Sequence, residues 1–306
     1  MKAAYIEELG GPDKLKTGDL PAPEPGDGRV LLRTKAAGVG LWDVKMMSGA
    51  FGQIPLPMIP GLEAAGIVEK AGAGMDLRPG DEVYGSLGFT AGGYAEYAVA
   101  GADRLVPKPA RLSFDEAAGL VVRGGTAYEG VVDRLKLQPG ETVLITAAAG
   151  GVGTVAVQIA AALGARVIGV ASARNHDYLR GLGAGETYDY NDPGWADAVL
   201  EAVPGGVDAL FDGSGGATRD AALKVVRDGG RAVFIVGPPE SVDQGRGITG
   251  EMFRADVNRQ RLEAINQLVE DGKLRVEVQA FPLDQARAAV EQVATGHTRG
   301  KVVLKV

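Results

Sequence analysis

The chain has 306 residues, 45% of them hydrophobic and 23% charged, enough for about two domains at 100 to 200 residues each. A net charge of −7 and a pI near 5.1 exclude a nucleic-acid-binding surface, which needs clustered Lys and Arg against phosphate, and the apolar content excludes disorder. Cysteine is absent and the two histidines, His176 and His297, stand far apart, so disulfides, thiolate zinc sites and His-rich clusters are excluded and no metal is expected.

The first residues, Met1 to Glu8, hold no apolar run of signal-peptide length, and no uninterrupted apolar stretch reaches the roughly 18 residues of a membrane span. A cytoplasmic protein with no membrane segment is therefore expected. The 47 glycines follow no fixed period, which excludes collagen and solenoids; they fall between apolar runs, where turns need them.

Up to about residue 120 the pattern is short strands, at 2–7, 29–37, 66–70, 82–84 and 94–99, each bounded by Gly or Pro. That spacing predicts an antiparallel β region. From Glu141 the rhythm changes to buried strand, glycine turn and amphipathic helix, repeated. Strands are predicted at 142–146, 166–171, 186–190, 207–211 and 231–236, with helices at 152–163, 174–181, 195–202 and 217–226. Continuous apolar strands alternating with helices predict a parallel sheet covered on both faces, hence an α/β, doubly wound domain. A helix at 257–270, a strand at 274–280, a helix at 284–294 and a strand at 301–305 complete the chain. The pattern leaves open whether these two strands extend the parallel sheet or return to the N-terminal β region.

Ala147, Ala148, Ala149, Gly150, Gly151, Val152 and Gly153 lie between a predicted strand and a predicted helix. In that context backbone amides and the positive helix end meet a diphosphate, with Gly151 allowing close approach and Gly153 allowing helix to pack on strand. The fingerprint departs from Gly-x-Gly-x-x-Gly at its first position, Ala148. A site for NAD carries an acid at the end of the second strand, to hold the ribose hydroxyls. Here that end reads Ser172, Ala173, Arg174, Asn175, with donors where a carboxylate would repel a 2′-phosphate, so NADPH is expected. Gly213 and Ser214 after the fourth strand, and Val236 and Gly237 followed by Pro238 and Pro239 at the fifth, fall at the same carboxyl edge.

Six segments then stand together in order: 61–68 (GLEAAGIV), 79–85 (PGDEVYG), 92–99 (GGYAEYAV), 125–128 (GTAY), 148–153 (AAGGVG) and 299–304 (RGKVVL). Through them the chain resembles, over nearly its whole length, the medium-chain dehydrogenase/reductase superfamily in its zinc-free quinone oxidoreductase branch. The resemblance implies a GroES-like, β-rich catalytic domain built from residues 1–120 and 259–306, with a Rossmann domain for NADPH at 121–258 inserted between them. It also implies a nicotinamide cleft at the domain interface and a homodimer. Zinc-dependent relatives ligate metal through Cys and the His of Gly-His-Glu, a segment that reads Gly61-Leu62-Glu63 here.

The resemblance further implies an active-site turn at Val39 to Asp43, which keeps Asp43 but carries Gly40 and Leu41 where relatives have Asn and Pro. Thr126 looks like a residue facing the nicotinamide, and Tyr190 like one bordering the 2′-phosphate. Lys301 either approaches the cofactor or only occupies the last strand. Lys45 is either a proton donor or a solvated lysine. Trp42, Met47 and Phe51 form either a wall for a flat substrate or ordinary core. The expected reaction is hydride transfer from NADPH to a quinone or an α,β-unsaturated carbonyl, which spreads the developing charge without a Lewis acid. A 2-enoyl thioester reductase and a non-catalytic NADPH-binding protein are the competing readings.

Overall fold

The computed structural model describes residues 1–72, 75–88, 92–237, 242, 244–296 and 298–306; Pro238, Pro239 and His297 lie outside them. The chain divides into two compact units, Met1–Gly125 with Val257–Val306, and Thr126–Asp256.

The first unit is built on a seven-stranded sheet, with a separate two-stranded ribbon of Lys2–Tyr5 and Lys16–Asp19. Its longest strand, Arg29–Val39, pairs antiparallel with Glu63–Ala71, Tyr97–Gly101 and Lys301–Lys305. The last strand thus returns to the N-terminal region, and Val278–Pro282 lies parallel beside it. That resolves the alternative the sequence left open. Apolar side chains from both chain ends share a core in which Ala4, Ile6, Val39, Met47, Val290 and Leu304 are buried.

Two helices interrupt the region read as strands, Leu41–Met47 and Phe114–Tyr128. The second opens on a capping box: the Glu116 amide donates to Ser113 Oγ (3.2 Å) and the Ser113 amide donates to Glu116 Oε2 (2.8 Å). The helix predicted at 257–270 starts later, at Arg259–Glu270, because Asn258 caps it by accepting from the Arg261 amide at 3.1 Å. It buries Leu262, Ile265 and Val269 on one face.

The second unit is a six-stranded parallel sheet. Numbered within the unit in chain order, its strands are Thr142–Ile145, Arg166–Val170, Glu186–Tyr188, Val207–Asp212, Val226–Phe234 and Thr249–Met252. They lie in the order third, second, first, fourth, fifth, sixth. The direction of winding therefore reverses between the first and fourth strands, where doubly wound sheets open a crevice at their carboxyl ends. Leu144, Ile168, Val199, Leu210 and Phe234 are among the side chains buried within this unit. The sixth strand was not predicted. Thr249-Gly250-Glu251-Met252 is exposed at every position, so burial imposes no apolar pattern on it. Among the described residues no helix is long and apolar enough to cross a membrane.

Candidate functional site

The crevice of the second unit is assembled from backbone. After Thr142–Ile145 the chain turns through Ala147, a non-glycine residue at φ 47°, and Gly150 N donates to Ala147 O at 2.9 Å. Helix Gly151–Ala162 follows with no side-chain cap, so its first amides remain for a ligand. A Cβ at Gly153 would collide with the Ala147 carbonyl oxygen and come within 2.7 Å of Ala148 Cα. This position therefore needs glycine. The methyl of Ala148 is fully buried and faces Gly169 on the second strand, beside Leu179 and Ala184. Gly150, Gly151 and Val152 remain partly exposed, and Ala149 is buried.

A buried network closes the other side of the crevice. Thr146 Oγ1 donates to Asp212 Oδ1 (2.5 Å) and accepts from the Gly213 amide (3.0 Å). Ser214 Oγ donates to Asp212 Oδ1 (2.8 Å), and the Gly215 amide donates to Asp212 Oδ2 (3.0 Å). Gly213 and Ser214 are thus held beside the first strand. Val236, 42% exposed, adjoins this turn, its carbonyl 3.2 Å from where a Cβ on Gly215 would stand. The Gly237 carbonyl accepts from Arg219 at 3.4 Å.

At the end of the second strand, Ser172 begins a short turn. The Asn175 amide donates to Ser172 O (2.9 Å) and its side chain to Ser172 Oγ (3.0 Å), while Arg174 is exposed. Tyr190, 43% exposed, follows the neighbouring third strand. Between them stands an acid, Asp189, with the Asn191 amide and side chain donating to its Oδ1 at 2.9 and 2.8 Å. The Asn191 and Ala173 amides, the Asn191 side chain and the His176 ring hold its carboxyl below the usual carboxylate range. His176 itself lies 3.2 Å from the Ala171 carbonyl through Nε2.

The first unit offers a different arrangement. Asp43 is 3% exposed, and its two oxygens accept from the Gly40 amide (2.7 Å) and the Gly61 amide (3.0 Å). Both oxygens brace the chain, and the carboxylate is enclosed within the unit. Burial pushes its pKa up to about 6, against the pull of the Gly40 amide and of Lys301. Lys301 lies on the last strand, buried, in an ion pair with Glu63, and its ammonium stands 3.4 Å from where a Cβ on Gly40 would be. Glu63 also accepts from the Val122 amide at 2.7 Å. The fully buried Tyr94 hydroxyl faces this group; its pKa is driven well up by burial and by the charge of Asp43.

Trp42 and Phe51 stack, with centroids 4.9 Å apart and planes at 16°, and the Lys45 ammonium lies 5.9 Å from the Trp42 ring. Phe51 is 38% exposed and Lys45 is exposed. Met47 is not part of this face; it is buried in the core, packed among the residues that hold the two chain ends together. Thr126 is buried in helix Phe114–Tyr128.

Sequence reasoning did not assign roles to Asp212, Asp189 or Glu63. Asp212 was signalled by a carboxylate directly after the apolar run Ala209-Leu210-Phe211. Glu63 carried no comparable signal, because its partners, Val122 and Lys301, come from other segments, whereas Asp189 binds Asn191 within its own turn.

Two family matches cover parts of the chain: the alcohol dehydrogenase GroES-like domain at residues 26–110 and a family described as zinc-binding dehydrogenase at 182–304. The chain is 33% identical to an NADPH-dependent alkenal/one oxidoreductase of the chloroplast from Arabidopsis thaliana, over 99% of this chain and 79% of that protein. It is 30% identical to a quinone oxidoreductase from Sus scrofa, over 98% and 95%. A solved structure described as an NAD-dependent alcohol dehydrogenase superposes with a TM-score of 0.94 at 33% identity, covering both chains fully.

Proposed function

The chain belongs to the medium-chain dehydrogenase/reductase superfamily, in its quinone oxidoreductase branch, and on that premise we propose that it is a zinc-independent reductase passing hydride from NADPH to a quinone or an α,β-unsaturated carbonyl. One observation carries the reading. The glycine turn Ala147 to Gly153 stands at the reversal point of a parallel sheet, with uncapped helix amides beside it and an atom-tight contact at Gly153.

These residues fit a dinucleotide. The Gly151 and Val152 amides would hold the diphosphate, and Gly213 and Ser214 would line the opposite wall, kept in place by Asp212. Ser172, Arg174 and Asn175, with Tyr190 alongside, would receive the 2′-phosphate, for which Arg is a forked donor. When bound, the reduced nicotinamide would supply a hydride equivalent, and the acceptor needs one further proton, on oxygen for a quinone and on the α-carbon, directly or through the enol, for an unsaturated carbonyl. Lys45 is the group we assign to donate that proton, and the half-buried Trp42 with the exposed Phe51 stacked on it gives a flat acceptor an aromatic surface. Zinc independence is supported by the absence of cysteine, by Leu62 in place of the ligating His, and by Glu63 being engaged with Lys301. Among the described residues Thr249–Met252 pairs only with Val226–Phe234, and that edge position supports pairing with a second copy.

Stopped-flow oxidation of NADPH against quinone, enone and crotonyl-CoA panels tests the reading. Turnover on quinones or enones supports it; turnover confined to crotonyl-CoA identifies a thioester reductase, and tight binding without turnover a non-catalytic binder. Arg174→Asp is expected to weaken NADPH far more than NADH, and equal losses overturn the cofactor assignment.

A further inference from the structure

We propose that Thr146 and Asp212 are positioning residues that make Ser214 Oγ an acceptor, so that it takes a hydrogen bond from a sugar hydroxyl on the nicotinamide half of the dinucleotide. The inference rests on the dinucleotide reading above and gives this wall of the crevice a polarity that the reading leaves open.

The polarity follows from where each proton goes. Thr146 and Asp212 are fully buried, and the backbone fixes both: the Thr146 amide donates to Phe211 O and the Ile235 amide to Asp212 O, each at 3.0 Å. As a carboxylate, Asp212 only accepts. Its Oδ1 accepts from the Thr146 hydroxyl at 2.5 Å and from the Ser214 amide at 3.3 Å, and its Oδ2 from the Gly215 amide at 3.0 Å. Gly215 stands at φ 67°, which lets the chain curl back to reach that oxygen. The Gly213 amide donates to Thr146 Oγ1 at 3.0 Å. All three amides of the turn are thus directed into the unit. So is the single hydroxyl proton of Ser214, because Asp212 Oδ1 lies 2.8 Å and Thr146 Oγ1 3.1 Å from its oxygen. A hydroxyl whose proton is committed keeps its lone pairs. Ser214 is half-buried, and those lone pairs suit a donor.

The opposite wall has the reverse character. Gly151 and Val152 offer amides from an uncapped helix, which fit a diphosphate, a group that only accepts. An accept-only hydroxyl opposes phosphate oxygens and fits the O–H of a sugar. Strand order says which sugar. The second strand lies on one side of the first strand and the fourth on the other. In doubly wound sheets the adenosine ribose belongs to the second strand and the diphosphate to the first turn, which leaves the other nucleoside to the fourth strand and Ser214.

Titration calorimetry on the full chain tests this with three probes: NADPH, 2′-phospho-ADP-ribose, which lacks the nicotinamide, and 2′-phospho-ADP, which lacks that ribose as well. Ser214→Ala is expected to weaken the first two about three- to tenfold, the loss of one hydrogen bond, and to leave the third within about twofold. Thr146→Val, which removes the hydroxyl at similar volume, should give the same pattern, and Thr146→Ser should restore it. Thr146→Val added to Ser214→Ala should weaken NADPH little further, because it acts through that oxygen. Thermal melting checks folding, and Ser214→Ala is decisive by itself where Thr146→Val does not fold. Equal losses on all three probes, a loss confined to NADPH, or no loss in Ser214→Ala overturns the proposal. An unaltered protein that binds none of the probes defeats the dinucleotide reading itself, whereas tight binding of all three with a silent Ser214→Ala defeats this inference alone.

Discussion

The glycine turn of the second unit and helix Leu41–Met47 of the first both present polar groups at a surface, by opposite means. The turn does it with atoms left out: Gly153 has no room for a Cβ, and the amides of Gly151 and Val152 carry no competing side chains. The helix does it with charges put in. Asp43 holds its N-terminus to Gly61, and Lys301 with Glu63 stands behind that bond, inside the unit. The first design fails when an atom is added, the second when a charge is removed.

Removing Lys301 is the most severe test. Lys301→Met leaves the Glu63 carboxylate buried with the Val122 amide as its remaining hydrogen bond described above, which costs about 3 to 5 kcal/mol for an orphaned buried charge. Denaturant unfolding measures it. Pairing the change with Glu63→Gln is expected to return part of the loss, since the uncompensated charge is then gone; a double variant no better than the single one would show that packing, not charge, holds this region.

The next effect is set by pH. Asp43 titrates at about 6 in the folded protein, above its ordinary 3.8, so the folded state binds its proton more tightly than the unfolded state does. Its contribution to stability is fully present below about pH 4 and is lost as pH rises through 6. At about 1.4 kcal/mol per unit the change is about 3 kcal/mol. Unfolding free energies of the unaltered protein and of Asp43→Asn, compared from pH 4 to 8, should move by that amount in favour of the variant as pH rises. A difference independent of pH means that Asp43 does not titrate in this range.

How much of this was legible follows the same division. The turn was readable because everything it needs lies within seven consecutive residues between a strand and a helix. The centre of the parallel sheet was readable for the same reason, its first, second, fourth and fifth strands each carrying an apolar run. The sixth strand was not, since an exposed edge imposes no pattern, and neither was helix Phe114–Tyr128, although Ser113 and Glu116 carry its capping signature. The destination of the last strand depended on pairing Val302 with Val39, a choice that periodicity does not encode. Asp43 was singled out by resemblance, but its bracing contact was not legible, because the Gly61 amide that occupies one oxygen lies well beyond its own turn. Met47 was left between an outer wall and the core for a related reason: a helix of seven residues shows too little periodicity to tell its core face from its outer one.

Adding a single carbon to the turn is expected to matter less for stability than removing Lys301, and more for binding. Gly153→Ala puts a methyl group against the Ala147 carbonyl and Ala148, an overpacking that costs about 1 to 3 kcal/mol. The helix must shift away from the strand, carrying its amides with it, so dinucleotide binding measured by calorimetry should be lost while the first unit is undisturbed. Retained binding would mean that the amides are not the ligand's anchor.

The smallest effect belongs to the aromatic pair, and it separates presentation of a surface from support of it. Trp42→Ala removes one partner of a stack whose other member, Phe51, is 38% exposed, so the cost to stability is modest compared with that of Lys301→Met. If the stack receives a flat acceptor, losing it should raise KM for a quinone about two- to tenfold, the range of a lost aromatic contact, with kcat and NADPH affinity little changed. Changing Asp43 instead releases the helix N-terminus that carries Trp42, so Asp43→Asn should raise the same KM without touching the aromatic ring. The two variants combined should then do little more than Trp42→Ala alone, because a surface already lost has no position left to disturb. Independent, additive effects would show that Asp43 acts on the reaction by a route other than holding this helix.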